Sequence, residues 1–266
     1  MRGDPEKLIA PLFLKPAHRI TAKNKKNKRV FPPPRSLREG MKPRSRHFPV
    51  AKKTKNNERD PVMTCKFQHE RALFHSGYRW IAGVDEAGRG PLAGPVVAAA
   101  VVLPKDFHHE ILTDSKKLSA LRREQIFEEL SSRTDIVWAA AIVSACEIDS
   151  LHILKATHHA MRGALQSLPS PLEHVLIDGL PVPDLGHPQT AIVGGDGKSF
   201  SIAAASIVAK VIRDRLMLAY DKEFPLYGFA QHKGYGTRRH LENIQKFGPC
   251  PIHRRSFAPV MQMSLF

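Results

Sequence analysis

Short apolar runs alternate with longer amphipathic segments from about Tyr78 onward, where we expect regular structure to begin. Runs of about 4 to 8 apolar residues are typical of strands, whereas apolar positions three and four apart indicate helices. The predicted strands are residues 80–84, 96–103, 136–143, 174–177 and 190–193, and the predicted helices are residues 119–133, 144 to about 168, 201–223 and 237–247. Strands that alternate with helices predict one layered α/β domain of about 180 residues.

Local signals support several of these boundaries. Ser144 followed three residues later by Glu147 is typical of a capping box that opens a helix. The helix at residues 201–223 begins with several alanines, small enough for close packing against a sheet. Residues 87–95 hold three glycines and two prolines, which indicates a tight connection between the first two strands.

Positive charge is concentrated at the front of the chain. Residues 1–66 contain 19 Lys and Arg against 5 Asp and Glu, whereas residues 67–266 contain 22 against 20. The front segment has too little apolar material to offset its ordering entropy, so residues 1–66 are predicted to be a disordered basic extension. Clustered Lys and Arg there would attract phosphates. The alternatives are a dispensable extension, codons upstream of a start at Met41 or Met63, or an organellar transit peptide, although no amphipathic helix is evident.

The remaining composition limits the compartment and the kind of site. No stretch reaches the roughly 20 apolar residues that span a bilayer, so no membrane partner is predicted. Cys65, Cys146 and Cys250 are odd in number and far apart, which supports neither a disulfide framework nor a zinc site and favours a reducing cytoplasm.

Four acidic residues stand out because each lies at or just past the end of a predicted strand, in a segment that contains glycine. They are Asp85, Glu86, Asp178 and Asp196. Ligands tend to bind at the carboxyl ends of strands in α/β sheets, and a buried carboxylate there is costly unless a cation compensates it. Several carboxylates on one edge would suit Mg²⁺ or Mn²⁺, which assist phosphodiester hydrolysis.

One alternative interpretation and one geometric difficulty remain open for these four acids. Asp-Gly is a common turn pair, so any one of the four acids could simply form a turn or cap a helix. In addition, consecutive residues of a regular strand point to opposite faces, so Asp85 and Glu86 cannot both reach one ion unless the strand ends between them or Glu86 approaches from the side.

Seven segments, in order along residues 79–260, resemble the motifs of the ribonuclease HII family. They are GVDEAGRGP at 83–91, DSKKL at 114–118, LIDG at 176–179, AASIVAKV at 204–211, YGF at 227–229, HKGYGT at 232–237 and HRRSF at 253–257. Any one of them could arise by chance, but seven in the same order are highly specific.

The resemblance implies a ribonuclease H-like fold, a mixed central β-sheet flanked by helices in which the first and fourth strands are neighbours. It assigns Asp85, Glu86, Asp178 and Asp196 as catalytic carboxylates, the first three as metal ligands, with Mn²⁺ or Mg²⁺ as cofactor. The implied activity is endonucleolytic hydrolysis of the RNA strand of RNA–DNA hybrids, and incision at ribonucleotides embedded in duplex DNA, leaving 5′-phosphate and 3′-hydroxyl ends.

The resemblance also implies how a ribonucleotide is selected. Residues matching Gly88, Arg89 and Gly90 contact the 2′-hydroxyl, the group that separates RNA from DNA, and the residue matching Tyr235 stacks on a sugar beside it. Without the resemblance, a plain turn and a half-buried aromatic would be the simpler interpretations. Further residues in the matched motifs are predicted to contact phosphates. They are Ser115, Lys116, Lys210, Lys233, Arg254 and Arg255.

The ends of the chain depart from a minimal family member. Ribonuclease HIII carries a folded N-terminal substrate-binding domain, but residues 1–66 are too polar and proline-rich for one, which disfavours that relative. We therefore divide the chain into the extension, a catalytic domain at residues 67–260 and a tail at residues 261–266. In the tail, residues 262–266 (QMSLF) resemble peptides that bind the bacterial sliding clamp, with a frayed terminus as the alternative. We expect a monomer.

Two other functions remain open at this stage. A non-catalytic nucleic-acid-binding protein would use the basic extension for affinity, but its carboxylates would then repel phosphates. A metal-dependent DNA nuclease or integrase on the same fold would share the carboxylates but would not need residues 88–90.

Overall fold

A mixed five-stranded β-sheet forms the centre of the described part of the protein. The structure is a computed structural model that describes residues 67–112, 114–169 and 171–263. The proposed extension at residues 1–66 and the last three residues of the proposed clamp peptide therefore lie outside the described residues. The strands are β1 (Ile81–Ala87), β2 (Val96–Val102), β3 (Val137–Val143), β4 (His174–Asp178) and β5 (Gln189–Ile192).

The strand order is β3-β2-β1-β4-β5. The pairs β1–β2 and β2–β3 are antiparallel, whereas β1–β4 and β4–β5 are parallel. The mixed sheet and the contact between the first and fourth strands confirm the ribonuclease H-like fold predicted above. Because β1 and β4 run in the same direction, their carboxyl ends meet at one edge, and this edge carries Asp85 and Asp178.

Helices cover both faces of this sheet. The described helices are α1 (Gln68–His75), α2 (Ala120–Ser132), α3 (Ala145–Leu151), α4 (Ile153–Gln166), α5 (Phe200–Glu223), α6 (Phe229–His232), α7 (Arg238–Phe247) and α8 (Ala258–Met263). Single 3-10 turns lie at Ser115–Lys117 and Gly195–Gly197. In the described part of the chain no helix combines the length and the apolar character needed to cross a membrane.

The core has two main layers, one on each side of the sheet. All seven residues of β2 are buried, as expected for a strand covered on both faces. The start of α5 packs so closely on β1 that a Cβ at Gly83 would lie 2.1 Å from the backbone carbon of Ser201. Glycine at this position therefore permits the contact that places β1 against α5, and the four alanines in the first ten residues of α5 are buried in the core on that side of the sheet.

The predicted helix from residue 144 to about 168 is wrong in one respect, because two helices occupy this range. The capping box of Ser144 and Glu147 opens α3 as predicted. His152 then has a φ of 63°, a left-handed conformation that ends α3 before α4 begins. Apolar positions continue with helical spacing across the break, so the hydrophobic pattern gave no sign of it.

The expectation that structure begins near Tyr78 is also wrong, because α1 precedes it. Glu70 of α1 is 1% exposed, and its carboxylate accepts hydrogen bonds from the Ser199 hydroxyl at 2.5 Å and the Ser201 amide at 2.9 Å. A carboxylate there satisfies the Ser201 amide at the start of α5 and interacts favourably with the positive end of the helix dipole. This short, polar helix lacks the apolar periodicity that a sequence-based prediction needs.

Candidate active site

Three carboxylates from separate elements converge at the edge of the sheet where β1 and β4 end. Asp85 lies in β1, Asp178 is the last residue of β4, and Asp196 lies in the 3-10 turn that follows β5. One oxygen from each lies within 4.8 Å of the others. Asp85 and Asp196 are only 4% and 6% exposed. The fold therefore brings together acids from distant parts of the chain, since Asp85 and Asp196 are 111 positions apart.

Glu86 lies beside this cluster of ligand atoms. Strand β1 continues through Ala87, so Asp85 and Glu86 are consecutive residues of one strand. The Glu86 amide donates to the Asp85 carboxylate at 2.7 Å, and the Glu86 carboxylate forms an ion pair with Arg89 at 3.3 Å. The grouping of ligand atoms found among the described residues contains Asp196 and does not contain Glu86, so the assignment of Glu86 as a metal ligand stays a prediction.

The clustered acids repel one another. Burial raises the pKa of Asp85 well above its usual range, and the charges of Glu86 and Asp178 raise it further. Burial also raises the pKa of Asp196, with added repulsion from Asp114 and Asp178. Such a site favours the binding of positive charge. Its donors are all carboxylate oxygens, which suit a hard divalent cation, so the residues present fit a metal ion of this type.

The segment that contains residues 114–118 contributes to the same site. The Lys116 ammonium lies 3.5 Å from the Asp196 carboxylate, and its side chain is 78% exposed. Asp114 precedes it and accepts a hydrogen bond from the Lys116 amide at 2.9 Å. An exposed cation next to the acids can meet the phosphates of a substrate, so the prediction for Lys116 is compatible with its position.

Ser115 requires a correction. We predicted a phosphate contact, but Ser115 is 3% exposed and its hydroxyl bonds to the hydroxyl of Ser206 at 2.9 Å. The Ser206 hydroxyl in turn bonds to the Asp85 carboxylate and lowers the pKa of that carboxyl. Ser115 therefore supports the site from within the protein, because its hydroxyl has no path to a bound phosphate.

Gly88, Gly90 and Tyr235 lie close together next to the acidic edge. Gly88 has a φ of 100°, a conformation that side chains rarely adopt, and it is buried. Gly90 is exposed, and a Cβ there would lie 3.8 Å from the ring of Tyr235, which is itself 48% exposed. The structure thus brings the two predicted ribonucleotide-contacting segments into one exposed surface, together with the exposed Arg89.

The remaining predicted phosphate contacts differ in their surroundings. Lys210 is ion-paired with Asp214 at 2.7 Å, the Lys233 ammonium donates to the Ala230 carbonyl, and Arg255 is exposed. For these three the prediction stays untested. Arg254 is a correction: it is 0% exposed, and its guanidinium donates to backbone carbonyls inside the protein. It cannot reach a phosphate, because a buried guanidinium with three carbonyl partners has no exposed donor.

Sequence reasoning missed several residues that shape this region. Asp114 and Ser206 lie in matched motifs, but nothing in the pattern showed that they contact the acids. Arg213, on the buried face of α5, was also missed, because the sequence does not distinguish it from the neighbouring Arg215. A cluster of imidazoles near Tyr235 (His232, His240 and His253) was missed as well.

A mixed sheet of this topology with carboxylates grouped at the β1–β4 edge defines the class of ribonuclease H-like nucleases. The family model described as ribonuclease HII matches residues 82–260, more than half of the chain. The chain belongs to the ribonuclease HII family, and it is an endoribonuclease.

Individual relatives agree with this assignment. A ribonuclease HII of Syntrophotalea carbinolica is 54% identical over 194 residues, which cover 73% of this chain and 92% of the relative. The ribonuclease H2 structure from Pyrococcus horikoshii OT3 is 27% identical, with a TM-score of 0.60, and the match covers 70% of this chain and 97% of that one. The ribonuclease HII of Archaeoglobus fulgidus, solved in complex with PCNA, is 26% identical, with a TM-score of 0.55 and coverage of 69% and 96%.

Proposed function

We propose that this endoribonuclease cleaves the RNA strand of RNA–DNA hybrids and also incises duplex DNA at single embedded ribonucleotides. The products would carry 5′-phosphate and 3′-hydroxyl ends. The observation that carries the proposal is the convergence of Asp85, Asp178 and Asp196 within 4.8 Å at one edge of the sheet. Mutual repulsion there favours a cation, and a scissile phosphate is an anion that a cation would attract.

The residues that would hold Mg²⁺ or Mn²⁺ are Asp85, Asp178 and Asp196, with Glu86 beside them as a further ligand from the same strand. When bound, such ions increase the acidity of water and stabilise charge on the leaving oxygen. The protein itself would contribute orientation: the Gly195 amide donates to the Asp178 carboxylate at 2.6 Å, and Ser206 holds the Asp85 carboxylate. In this proposal all four acids are catalytic residues, because they hold the ions that act on the scissile phosphate.

Cations around the acids would bind the substrate backbone. Lys116 lies against Asp196, and Arg89 lies against Glu86, so both can meet phosphates on either side of the cleaved bond. Lys210, Lys233 and Arg255 are further candidates in matched motifs. Arg254 and Ser115 are removed from this set for the reasons given above.

Selection of the ribonucleotide is assigned to Gly88, Arg89, Gly90 and Tyr235. Because Gly90 is exposed and has no side chain, backbone groups there can approach a sugar closely, whereas the missing side chain of Gly88 leaves room for Arg213. The ring of Tyr235 lies next to Gly90 and is half exposed, so it can stack on a neighbouring sugar. Together they form a surface that would accept a 2′-hydroxyl through backbone hydrogen bonds.

The experiment compares three duplexes of the same sequence, each with Mg²⁺ or Mn²⁺. One is an RNA–DNA hybrid, one is DNA with a single ribonucleotide, and one is all DNA. We expect cleavage of the first two, at the ribonucleotide in the second, with 5′-phosphate ends. Equal cleavage of the all-DNA duplex would favour the DNA nuclease or integrase alternative, and binding without cleavage would favour the non-catalytic alternative.

A protein partner is proposed for the C-terminal tail. The relative from Archaeoglobus fulgidus was solved as a complex with PCNA. Gln262 is exposed near the end of α8. We expect deletion of residues 262–266 to abolish binding to a sliding clamp, while Met261→Ala, at an exposed position outside the peptide, leaves it unchanged. Clamp binding that survives the deletion, or that is absent beforehand, would rule the partner out.

We also propose a monomer located in the cytoplasm, consistent with the free thiols of Cys146 and Cys250. Residues 1–66 are proposed as an extension that attracts nucleic-acid phosphates, with residues 67–260 as the catalytic domain. Mass spectrometry of the native N-terminus tests whether the extension is present. If it is, its removal should weaken the salt-dependent part of duplex binding.

A further inference from the structure

Two buried arginines lie beneath residues 88–95 and 233–236. Arg213, on α5, is 1% exposed, and Arg254 is 0% exposed. Neither has a carboxylate within ion-pairing distance among the residues that the structure describes. Burial lowers the pKa of Arg213 to about 10 and that of Arg254 to about 9, so both carry a charge near neutral pH.

Backbone carbonyls from both segments satisfy these two guanidiniums. Arg254 donates to three of them: to Gly94 at 3.0 Å, Arg89 at 2.9 Å and Gly88 at 2.5 Å. Arg213 donates to Pro95 at 3.0 Å, Lys233 at 3.0 Å and Ala93 at 3.2 Å. Five of the six acceptor carbonyls belong to residues 88–95, and one belongs to Lys233. Arg254 therefore holds the segment that contains Gly88 and Arg89, and Arg213 attaches that segment to the one that leads into Tyr235.

Direct contacts between the segments reinforce this arrangement. The Leu92 amide donates to the Gly234 carbonyl at 2.8 Å, and the Arg254 amide donates to the Leu92 carbonyl at 2.8 Å. Gly88 has no space for a side chain, because a Cβ there would lie 2.1 Å from Nε of Arg213. The ring of Phe257 covers the Arg254 guanidinium, with 5.1 Å between the ring centroid and Cζ.

These contacts are cooperative for an electrostatic reason. A buried cation that loses its hydrogen-bond partners is strongly unfavourable, and bonds from a charged donor are stronger than those between neutral groups. If either segment moved away, one or both guanidiniums would be left unsatisfied in the interior. The loop conformation is therefore stable only while both segments keep their present register.

We propose that Arg213 and Arg254 are positioning residues that hold residues 88–90 and Tyr235 in a fixed arrangement before substrate binds, and so set the preference for ribonucleotides over deoxyribonucleotides. The inference rests on the proposed role of residues 88–90 and Tyr235 in contacting the ribose. It predicts that the preference for ribonucleotides depends on the shape of the guanidinium as well as on its charge, because a single ammonium cannot donate to all three carbonyls that a planar guanidinium reaches.

The test is Arg254→Lys, which keeps the charge and removes the fork. KM is measured for cleavage of duplex DNA with one ribonucleotide, and the inhibition constant of the all-DNA duplex is measured in the same assay. We expect the ratio of inhibition constant to KM to fall by about 10-fold, with kcat within about 3-fold of the unmodified protein. Arg215→Lys is the matched control on the same helix, since Arg215 pairs with Glu124 and its side chain is 34% exposed.

Several outcomes overturn the proposal. An unchanged ratio accompanied by a lower melting temperature would make Arg254 purely structural, and a loss confined to kcat would place its effect at the carboxylates. If the unmodified protein shows no preference for the ribonucleotide duplex, the proposed function fails instead of this inference. The two failures are therefore distinguishable.

A second measurement uses the unmodified protein, in case Arg254→Lys does not fold. Hydrogen exchange is followed at three amides: that of Leu92, which donates to the Gly234 carbonyl, that of Gly94, which donates to Ile252, and that of Arg254, which donates to Leu92. We expect these amides to be protected without nucleic acid and unchanged when a ribonucleotide-containing duplex is added. Rapid exchange that becomes slow only on addition of the duplex would overturn the proposal, because the loops would then be ordered by the substrate.

Discussion

Two regions of this enzyme bury charge, and they treat it in opposite ways. At the β1–β4 edge, Asp85 and Asp196 are buried next to other acids, and their pKa values are raised. Beneath residues 88–95, Arg213 and Arg254 are buried with no ion-paired acid in the part of the chain that the structure describes, yet their donors reach six carbonyls. The acids gain from an added cation, whereas the arginines are already satisfied.

The difference shows how a buried ionisable group can be interpreted. A charge that faces like charges at an accessible edge indicates a ligand site, because only an external ion relieves the repulsion. A charge whose hydrogen bonds are complete indicates a role in maintaining the fold. This distinction is what corrects Arg254 from a phosphate contact to a positioning residue.

The largest expected effect is at the acidic edge. Asp85→Asn should keep the fold but reduce cleavage by at least about 100-fold, because it removes charge where the cation binds. The measurement is kcat/KM on the single-ribonucleotide duplex. Asp184→Asn is the matched control, since Asp184 is exposed and its φ of 52° is one that Asn also tolerates. Near-normal turnover in Asp85→Asn would mean that the site is misassigned.

The next effect concerns the contact that places β1 against α5. Gly83→Ala should lower the free energy of unfolding by about 3 kcal/mol, because the new Cβ would overlap the backbone of Ser201 and neither element can yield cheaply. Denaturant unfolding measures it. Gly197→Ala is the control for stability, as no atom lies within 4 Å of the added Cβ. Equal stability of the two variants would contradict the close approach.

Acid should destabilise the cluster of imidazoles near Tyr235 and stabilise the acidic edge. Burial lowers the pKa of His240 and of His253 to about 4, from about 6.5 in an unfolded chain. Between these values the unfolded chain binds more protons, so this stability is lost as the pH falls from 7 towards 4. Lowering the pH from 7 to 5 should therefore decrease the free energy of unfolding by about 2 kcal/mol for each of the two imidazoles.

Urea unfolding at the two pH values tests this, with His240→Asn expected to show the smaller dependence. The raised pKa values of Asp85 and Asp196 work the other way, because protonation relieves their repulsion. A variant with the same pH dependence as the unmodified protein would show that His240 does not titrate as described.

The smallest expected effect is on stability without metal. In the presence of a chelator, Asp85→Asn should raise the free energy of unfolding by about 1 kcal/mol, because a buried charge facing Glu86 and Asp178 is removed. Thermal melting with and without Mg²⁺ or Mn²⁺ gives the readout. The unmodified protein should melt higher with the ion and the variant should respond less; destabilisation of the variant under chelation would contradict mutual repulsion at this edge.

Most of the fold was predictable because its main elements are long and strongly patterned. Strands β1 to β4 and helices α2, α5 and α7 lie within a few residues of their predicted bounds. Helix α1 and the break at His152 were not predictable, since one is short and polar and the other leaves the apolar spacing intact. The four acids were predicted from their strand-end positions to lie at one edge of the sheet. The pattern could not say that Asp196, and not Glu86, would share one group of ligand atoms with Asp85 and Asp178.

The sequence by itself determined the family, through seven ordered motifs, and the α/β layering, through runs of apolar residues whose burial drives folding. Only the tertiary structure decided which polar residues of those motifs face a substrate and which are enclosed. Ser115 and Lys116 are neighbours in the chain, yet Ser115 is buried and Lys116 is exposed. In the same way, Arg254 is buried and its neighbour Arg255 is exposed. The physical reason is that burial and hydrogen-bond partners depend on residues distant in the chain, which no local pattern specifies.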